Sequence, residues 1–285
     1  MKILLFILLL SFSFTQDYSL SFDGNGSSVV DVSDLVVSDT PTLTFSLDFK
    51  LDTVMGDSNN HDTIFDFENS DFRYALNVYD IWNAKLEFIM ETHDIRISYD
   101  QYVADNNWHN VVIQLNPTNA TLIFDNEQVD YQSWNDEITY KISGDSYEDF
   151  IGANQPPSYP YFIRGNIDNF IISNELLSVE QIQDIDNYNS EVNYKFNEGE
   201  GNSIYDSSGN ENHANFYDYG VWEEQVILGD INEDGELNIQ DILFIVGLVL
   251  ELGYPADYYE IADMNQDGVL NIQDIILIID IILDN

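Results

Sequence analysis

A twelve-residue segment near the C-terminus occurs twice in the same register, and this repeat constrains the fold more than any other feature. Residues 230–241 have the sequence DINEDGELNIQD, and residues 263–274 have the sequence DMNQDGVLNIQD. Both copies carry oxygen-bearing side chains at positions 1, 3, 5, 9 and 12, and glycine at position 6. This is the spacing of a calcium-binding loop, in which alternate residues turn toward the ion and glycine permits a sharp turn. The repeat therefore predicts two calcium ions, with a helix after each loop.

The repeat assigns six candidate ligands to each loop. Position 7 offers only its backbone carbonyl, so Glu236 and Val269 are equally suitable there. The amides at position 9 are expected to reach the ion through water. Position 12 is Asp, which makes the last ligand one methylene shorter than the Glu of a full EF-hand. The candidate metal ligands are Asp230, Asn232, Asp234, Glu236, Asn238 and Asp241 in the first loop, and Asp263, Asn265, Asp267, Val269, Asn271 and Asp274 in the second.

The segment that contains the repeat has an unusual composition. Residues 229–285 hold 13 Asp or Glu and no Lys, Arg or His, so calcium is the evident compensating charge. The segments after the loops, 242–250 and 275–279, are apolar on every side, whereas a surface helix has one apolar stripe. Two such helices cannot cover all of each other, which predicts an exposed apolar surface of the kind used for docking.

A loop followed by a single helix, twice over, resembles a type I dockerin module. The resemblance covers residues 229–285 and implies a cohesin-like protein, or another surface scaffold, as the partner of the C-terminal helices. In that family the residues beside position 9 influence recognition. Both copies here carry Ile-Gln, at 239–240 and 272–273, where small hydroxyl residues are usual.

The charge and cysteine content of the whole chain exclude several classes of function. The chain has 52 Asp plus Glu against 8 Lys plus Arg, a formal net charge of −44, which disfavours nucleic acid and anionic lipid as partners. The simpler explanation of this excess is solubility in a salty medium. The absence of cysteine excludes disulfides, thiolate metal sites and cysteine nucleophiles.

The first 15 residues have the features of a secretory signal peptide. Lys2 supplies the positive charge, residues 3–10 are apolar, and small residues lead to a cleavage site before Gln16. The sequence therefore predicts a secreted protein, extracellular or associated with the cell surface. No later apolar run is long enough for a transmembrane segment, since 242–250 has only nine residues.

Short alternating runs between polar turns occupy the chain from residue 18 to about residue 170. Segments such as 42–49, 110–115 and 121–124 have the period-two pattern of half-buried strands. Residues 178–182 begin like a capped short helix. The predicted fold class is mainly β: a β-sandwich with a small C-terminal α module of two calcium loop–helix repeats.

Several motifs in this region together resemble a laminin-G-like, concanavalin A-like jelly roll. The resemblance covers residues 17–190 and implies that architecture for the domain. The motifs are LSFDG at 20–24, WHNVV at 108–112, IG at 151–152, GNIDNF at 165–170 and LSVEQI at 177–182.

Residues 191–228 contain motifs that resemble the opening strands of a second copy of the same family. We expect a hairpin packed on the sandwich, or a truncated repeat that acts as a linker. The oxygen-rich loop 206–212 is either a further calcium site in the jelly-roll region or a simple turn. The predicted organisation is therefore a signal peptide at 1–15, a sandwich at 17–190, this hairpin or linker at 191–228, and the dockerin-like module at 229–285.

A search for catalytic residues yields no complete site. Glycosidases of this fold carry a cluster of carboxylates on one strand, and the nearest candidate, Asp66 with Glu68, has no third acid at the required place. The four histidines, at 61, 93, 109 and 213, lack metal-ligand spacing. We expect His109 to support the turn that contains Trp108.

The sequence thus favours a non-catalytic binding or adhesion protein, in which the jelly roll recognises a carbohydrate or a surface ligand and the tail provides attachment. The alternative is a polysaccharide-degrading glycosidase or lyase of the same fold. A third alternative is a structural component with no small ligand. Four aromatic residues are candidates either for stacking on sugar rings or for the core: Trp82, Tyr99, Tyr102 and Trp134.

Overall fold

The computed structural model divides the chain into two compact units, one over residues 18–223 and a second that includes residues 224–285. Trp82 and the loop residues Asp234 and Glu236 lie outside the described residues. The structure describes residues 18–24, 28–52, 61–68, 72–79, 84–143, 149–154, 161–217, 221–224, 228–232, 237–250, 258–265 and 267–284.

The first unit is a β-sandwich, which confirms the predicted fold class. Its strands are β1 Tyr18–Asp23, β2 Val29–Asp31, β3 Val36–Thr40, β4 Leu43–Leu51, β5 His61–Glu68, β6 Arg73–Tyr79, β7 Lys85–Met90, β8 Ile95–Tyr99, β9 His109–Asn116, β10 Asn119–Phe124, β11 Glu127–Ser133, β12 Tyr140–Ser143, β13 Phe150–Ile151, β14 Arg164–Ser173, β15 Val192–Tyr194, β16 Ser203–Ile204, β17 Ala214–Tyr217 and β18 Val221–Glu224.

Within the described residues, two eight-stranded antiparallel sheets form the layers. The first has the order β11-β10-β9-β4-β14-β1-β18, with β15 also paired to β14. The second has the order β16-β17-β2-β13-β5-β6-β7-β8, and β12 pairs with β3 in a small separate sheet. The sheets pack through aromatic rings: Phe45 on β4 stacks on Phe65 of β5 at 5.2 Å between centroids, and Phe65 meets Phe170 of β14 at 5.8 Å.

Strands β15, β16 and β17 extend the sandwich beyond the boundary predicted at residue 190. Strand β15 joins the first sheet beside β14, and β17 joins the second beside β2. The segment over 192–217 is therefore part of both layers, and it does not act as a linker. Its apolar side chains are buried in the common core, as Val192, Tyr194 and Phe196 illustrate.

Helix α1, Val179–Gln183, lies at the predicted position, followed by a 3-10 turn at Ile185–Asn187; another 3-10 turn spans Glu91–His93. Ser178 caps α1: its hydroxyl accepts from the backbone N–H of Gln181, and the Gln181 side chain accepts from the N–H of Ser178. The helix and adjoining residues pack on the outer face of the first sheet, where Ile182 and Leu177 contact the same apolar cluster as Val112 and Ile171.

The C-terminal unit contains helices α2 Ile239–Val249, α3 Tyr259–Ala262 and α4 Ile272–Asp284. Helices α2 and α4 begin at position 10 of the twelve-residue loops, earlier than the apolar runs alone indicate. The single turn α3 precedes the second loop. A small apolar core holds the helices and loops of this unit together. Ile245 and Ile278, which occupy the same place in the two repeats, are both fully buried in it. No helix within the described residues is long and apolar enough to cross a membrane.

Candidate functional site

The second loop is a tight turn that side-chain oxygens hold closed. The Asp263 carboxylate accepts from the backbone N–H of Asp267 at 3.2 Å and from that of Gly268 at 2.7 Å. The amide oxygen of Asn265 also accepts from Asp267, at 2.9 Å. Gly268 has φ +79°, a left-handed conformation that glycine adopts without a steric penalty. Positions 1, 3, 5 and 6 of the predicted loop are therefore brought together.

The aspartate at position 12 has the same environment in both loops. Asp241 and Asp274 are fully buried. One carboxylate oxygen of each accepts from the N–H of position 9, from Asn238 at 2.9 Å and from Asn271 at 2.8 Å. The other oxygen accepts from N–H groups early in the same loop. Each aspartate thus lies in the first turn of its helix, where it accepts from the residue just before the helix, and it also links the start of its loop to the end.

The remaining described positions contribute further oxygen atoms. The carbonyl of Val269 accepts from the side-chain amide of Asn271 at 2.8 Å, and Asp267 accepts from the N–H of Val269 at 2.8 Å. Asp230, at position 1 of the first loop, is buried like Asp263. Among the described residues, no three Asp, Glu or His side chains are grouped as a metal centre by themselves.

Apolar side chains remain exposed on α2 and α4, as the sequence predicted. They occupy matching places in the two repeats: Ile239 and Ile272 are 68% and 61% exposed, and Leu243 and Ile276 are 66% and 51% exposed. The opposite side of each helix is buried in the small core of the C-terminal unit. The C-terminal unit therefore presents the same apolar surface twice, once in each repeat.

The sandwich aromatics divide between core and surface. Tyr99 stacks on Phe124 with centroids 4.3 Å apart and packs against the core. Trp134 also packs against the core, and its indole N–H donates to the carbonyl of Pro117 at 2.8 Å. Tyr102 is exposed. Core packing therefore accounts for Tyr99 and Trp134.

His109 has structural contacts of the expected kind. Its Nδ1 lies 2.8 Å from Asp125, and its Nε2 lies 3.1 Å from Asp105. The ring packs against Phe49 and Phe124. These contacts join the start of β9 to two neighbouring turns.

The acid pair at 66 and 68 belongs to an ion-pair network. Both carboxylate oxygens of Asp66 accept from the Arg73 guanidinium at 2.9 Å, and Arg73 also bonds to Glu91 at 2.8 Å. Burial raises the pKa of Asp66 to about 6, although Arg73 lowers it. Asp149 lies in the same region, and burial raises its pKa to about 7.

The loop at 206–212 has the geometry of a turn. Asp206 accepts from the N–H groups of Asn193, Ser208 and Asn212 and from the hydroxyl of Ser208. Both of its oxygens are therefore occupied by donors, as in an Asx turn.

A pocket of about 530 Å³ on the outer face of the first sheet was not predicted. It lies beside α1 and includes Ser46, Asp48, Asn110, Asn169 and Lys195 in its lining. These residues are distant in sequence, and polar residues that alternate along a strand ordinarily indicate a solvated face. No local motif could have identified the pocket.

Two family models match the chain. Residues 23–183, more than half of the chain, match the model described as the concanavalin A-like lectin/glucanases superfamily, Laminin_G_3. Residues 228–283 match the model described as the dockerin type I domain. Both resemblances inferred from the motifs are thereby confirmed. No curated protein matches the chain.

Several solved structures are similar to the chain at low sequence identity. A candidate carbohydrate binding protein from Bacteroides ovatus ATCC 8483 has a TM-score of 0.55 at 13% identity, covering 74% of this chain and 60% of that one. A heptameric SAP-like pentraxin from Limulus polyphemus has a TM-score of 0.45 at 14% identity, covering 59% and 81%. Domain 4 of the extracellular arabinanase AbnA from Geobacillus stearothermophilus, solved with arabinotriose, has a TM-score of 0.42 at 12% identity, covering 59% and 75%.

Proposed function

The chain belongs to the concanavalin A-like lectin/glucanases superfamily, and we propose that it is a secreted, non-catalytic binding protein. Its sandwich recognises a carbohydrate or another surface ligand, and its dockerin-like tail attaches it to a cohesin-like protein in the presence of calcium. The observation that carries the proposal is the combination, in one chain, of a lectin-type sandwich with a module that repeats the same loop around a buried aspartate.

Each loop of the tail binds one calcium ion in this proposal. Buried carboxylates are costly unless an opposite charge or hydrogen bonds compensate them. Backbone N–H groups supply part of the compensation at Asp241 and Asp274, and residues 229–285 contain no basic side chain that could supply the rest. Calcium prefers carboxylate, amide and carbonyl oxygens, which are the groups that the loops offer. The register of the repeat assigns Asp234 and Glu236 to the same roles as Asp267 and Val269.

The cohesin-like partner docks on the apolar surface of α2 and α4. A monomer that exposes large aliphatic side chains at corresponding places on two helices has a surface suited to association. Leu250 and Leu283, which also correspond in the repeats, are 61% and 76% exposed and extend this surface. The match of residues 228–283 to a dockerin domain supports this class of partner over an unrelated scaffold.

Residues 1–15 act as the secretion signal, and residues 206–212 serve as a turn. Secretion would expose the loops to extracellular calcium. Mass spectrometry of the N-terminal peptide of the exported protein tests the first point, because cleavage at the predicted place gives Gln16, or its pyroglutamate form, as the new N-terminus.

Catalysis is the rival function, because the family name covers glucanases as well as lectins. The ion-pair network argues against a catalytic role for Asp66, since both of its oxygens are held by Arg73. A glycosidase needs one carboxylate as proton donor and another as base or nucleophile, each with access to the sugar. A reducing-sugar assay on a polysaccharide panel distinguishes the two functions, and turnover by the purified chain would refute the binding role as its main activity.

The proposed function is tested on the full chain in calcium buffer. We expect selective signals on a glycan array, and co-purification with a cohesin-containing scaffold that a chelator abolishes. If the chain binds no glycan, the carbohydrate part of the proposal is refuted. Scaffold binding that is unchanged after verified calcium removal would refute the attachment mechanism.

A further inference from the structure

We propose that a groove on the outer face of the first sheet is the glycan site of the sandwich and that its ligand is a neutral oligosaccharide. This inference rests on the proposed carbohydrate-binding function and gives it a location. The groove, here called the outer groove, consists of two pockets of about 530 Å³ and 460 Å³. The two pockets share Lys195 and Asn197 in their linings. Spaces of a few hundred Å³ accommodate small ligands.

The strands β4 and β9 supply the polar floor of the outer groove. Along β4, Phe45 and Phe49 are in the sandwich core, and the alternating residues Ser46 and Asp48 line the groove. Asn110 on β9 lies directly opposite Asp48 in the ladder. Its side-chain N–H₂ donates to the Asp48 carboxylate at 2.7 Å. The pleat therefore places an amide and a carboxylate side by side, away from the core.

A β-bulge brings a second amide to the same carboxylate. The register between β14 and β4 shifts between Asp168 and Ile171, so one extra residue is accommodated on β14. Asn169 in the bulge has φ +48°, and its side-chain N–H₂ donates to Asp48 at 3.0 Å. Bulges often redirect side chains beside binding sites. The Asp48 carboxylate thus fixes Asn110 and Asn169 in one orientation, and such fixed polar groups can select the hydroxyls of a sugar.

The two ends of the outer groove differ in character. Helix α1 forms an apolar wall at one end through Val179 and Ile182. At the other end Tyr205 is 59% exposed, and its ring meets His213 edge-on at 5.4 Å. An exposed, laterally supported aromatic ring can pack against the C–H face of a sugar ring. The groove therefore combines hydrogen-bonding groups with an aromatic platform.

Two buried polar atoms beside the outer groove have no hydrogen-bond partner among the described residues: Oγ of Ser46 and Oε2 of Glu198. Ser46 is 1% exposed. The other oxygen of Glu198 accepts from the N–H of Tyr205 at 2.7 Å, so this carboxylate is adjacent to the aromatic platform. Buried polar atoms are usually satisfied, and exceptions require an explanation. A ligand rich in hydroxyl groups can provide partners after a small rotation of either side chain.

The charge of the outer groove selects among glycans. The ammonium group of Lys195 is already 2.7 Å from Asp186. Carboxylates therefore dominate, and they repel uronic acids and sulfated sugars, which leaves neutral sugars as the favoured class. The charged side chains that line the groove are Asp48, Asp184, Asp186, Glu198, Glu200 and Lys195.

The test measures binding of neutral gluco-, xylo-, manno- and arabino-oligosaccharides to the full chain by calorimetry in calcium buffer. Asn169→Gly removes the amide but keeps a residue that tolerates positive φ, and Tyr205→Ala removes the platform. Matched controls are Asn106→Gly, at an exposed asparagine with φ +64°, and Tyr131→Ala, at a tyrosine that is 51% exposed. We expect about tenfold or greater loss of affinity in each groove variant and less than about twofold change in each control.

Each outcome of this test has a definite meaning. If the unaltered chain binds a neutral oligosaccharide and the groove variants match their controls, the outer groove is refuted while the proposed function stands. Binding of acidic glycans alone would refute the neutral class. If no glycan of either kind binds, both the groove and the carbohydrate function are refuted. Hydrogen exchange over residues 192–207 with saturating ligand provides a readout without mutation: protection supports the groove, and its absence in a chain that binds sugar refutes it.

Discussion

Asp274 is the residue at which the calcium hypothesis can be tested most directly. It is fully buried, and its two oxygens accept from the backbone N–H groups of Asn265 and Asn271. In the Asp274→Asn variant one oxygen remains as an acceptor, but the amide N–H₂ must face the other backbone donor. The substitution therefore removes a proposed calcium ligand and one hydrogen bond without changing the side-chain volume.

The magnitude follows from two contributions. An ion that binds only the folded form stabilises it by RT ln(1 + [L]/Kd), about 3 to 4 kcal/mol when free calcium is roughly 100 to 1,000 times Kd. A buried N–H left without a partner costs about 1 to 3 kcal/mol more. A small core of this kind contributes only about 3 to 5 kcal/mol. Loss of one site should therefore open the second repeat of the C-terminal unit.

Hydrogen exchange measured by mass spectrometry on the full chain follows this opening locally. We expect amides of α4 to exchange about 100 to 1,000 times faster in the unaltered chain with a chelator, because the opening equilibrium changes by the factor 1 + [L]/Kd, and faster still in the variant, which also loses a hydrogen bond. Amides of β4 and β9 in the sandwich serve as an internal reference and should not change. Calcium titration calorimetry should give about one ion fewer per chain.

The matched control is Asp280→Asn, an exposed position on α4 outside the loop. It removes the same charge from the same helix. If Asp274→Asn bound as many calcium ions as Asp280→Asn, and its α4 amides were equally protected from exchange, the buried aspartate would not be a calcium ligand. The reasoning from the repeat would then be refuted at its main residue.

Two further predictions concern the sandwich. Arg73→Met leaves the buried Asp66 without its cation and should lower the free energy of unfolding by about 3 to 5 kcal/mol. The control Arg96→Met, at a more exposed ion pair, should change it by about 1 kcal/mol or less. Urea denaturation measures both, and equal losses would contradict the role of burial. The pKa of Asp149 is raised from 3.8 to about 7, so the folded state holds this proton more tightly and stability should fall as pH rises from about 4 to 7. Asp149→Asn should flatten this pH dependence and raise Tm at pH 8 relative to the exposed control Asp39→Asn. An unchanged pH profile would refute the assignment.

Local spacing determined much of this molecule. The second loop, its glycine and the helices after both loops could be predicted because these contacts join residues within twelve positions, as the bonds of Asp263 to Asp267 and Gly268 illustrate. The cap of α1 at Ser178 is equally local. Period-two alternation predicted strands such as β4, because the pleat alone decides which side chains share a face.

Only the tertiary structure decided which strands become neighbours and what their outer faces form. Strand β17 pairs with β2, which lies almost 190 residues earlier in the chain by sequence number, so the paired strands β16 and β17 belong to the second sheet and not to a linker. The outer groove combines Asp48, Asn110, Asn169 and Lys195 from four strands or strand ends that no local pattern connects. Long-range register depends on the packing of two complete sheets, and a bulge such as that at Asn169 becomes visible only when the partner strand is known. The sequence therefore specified the local elements and the repeated loops, and the packing of the sheets created the groove.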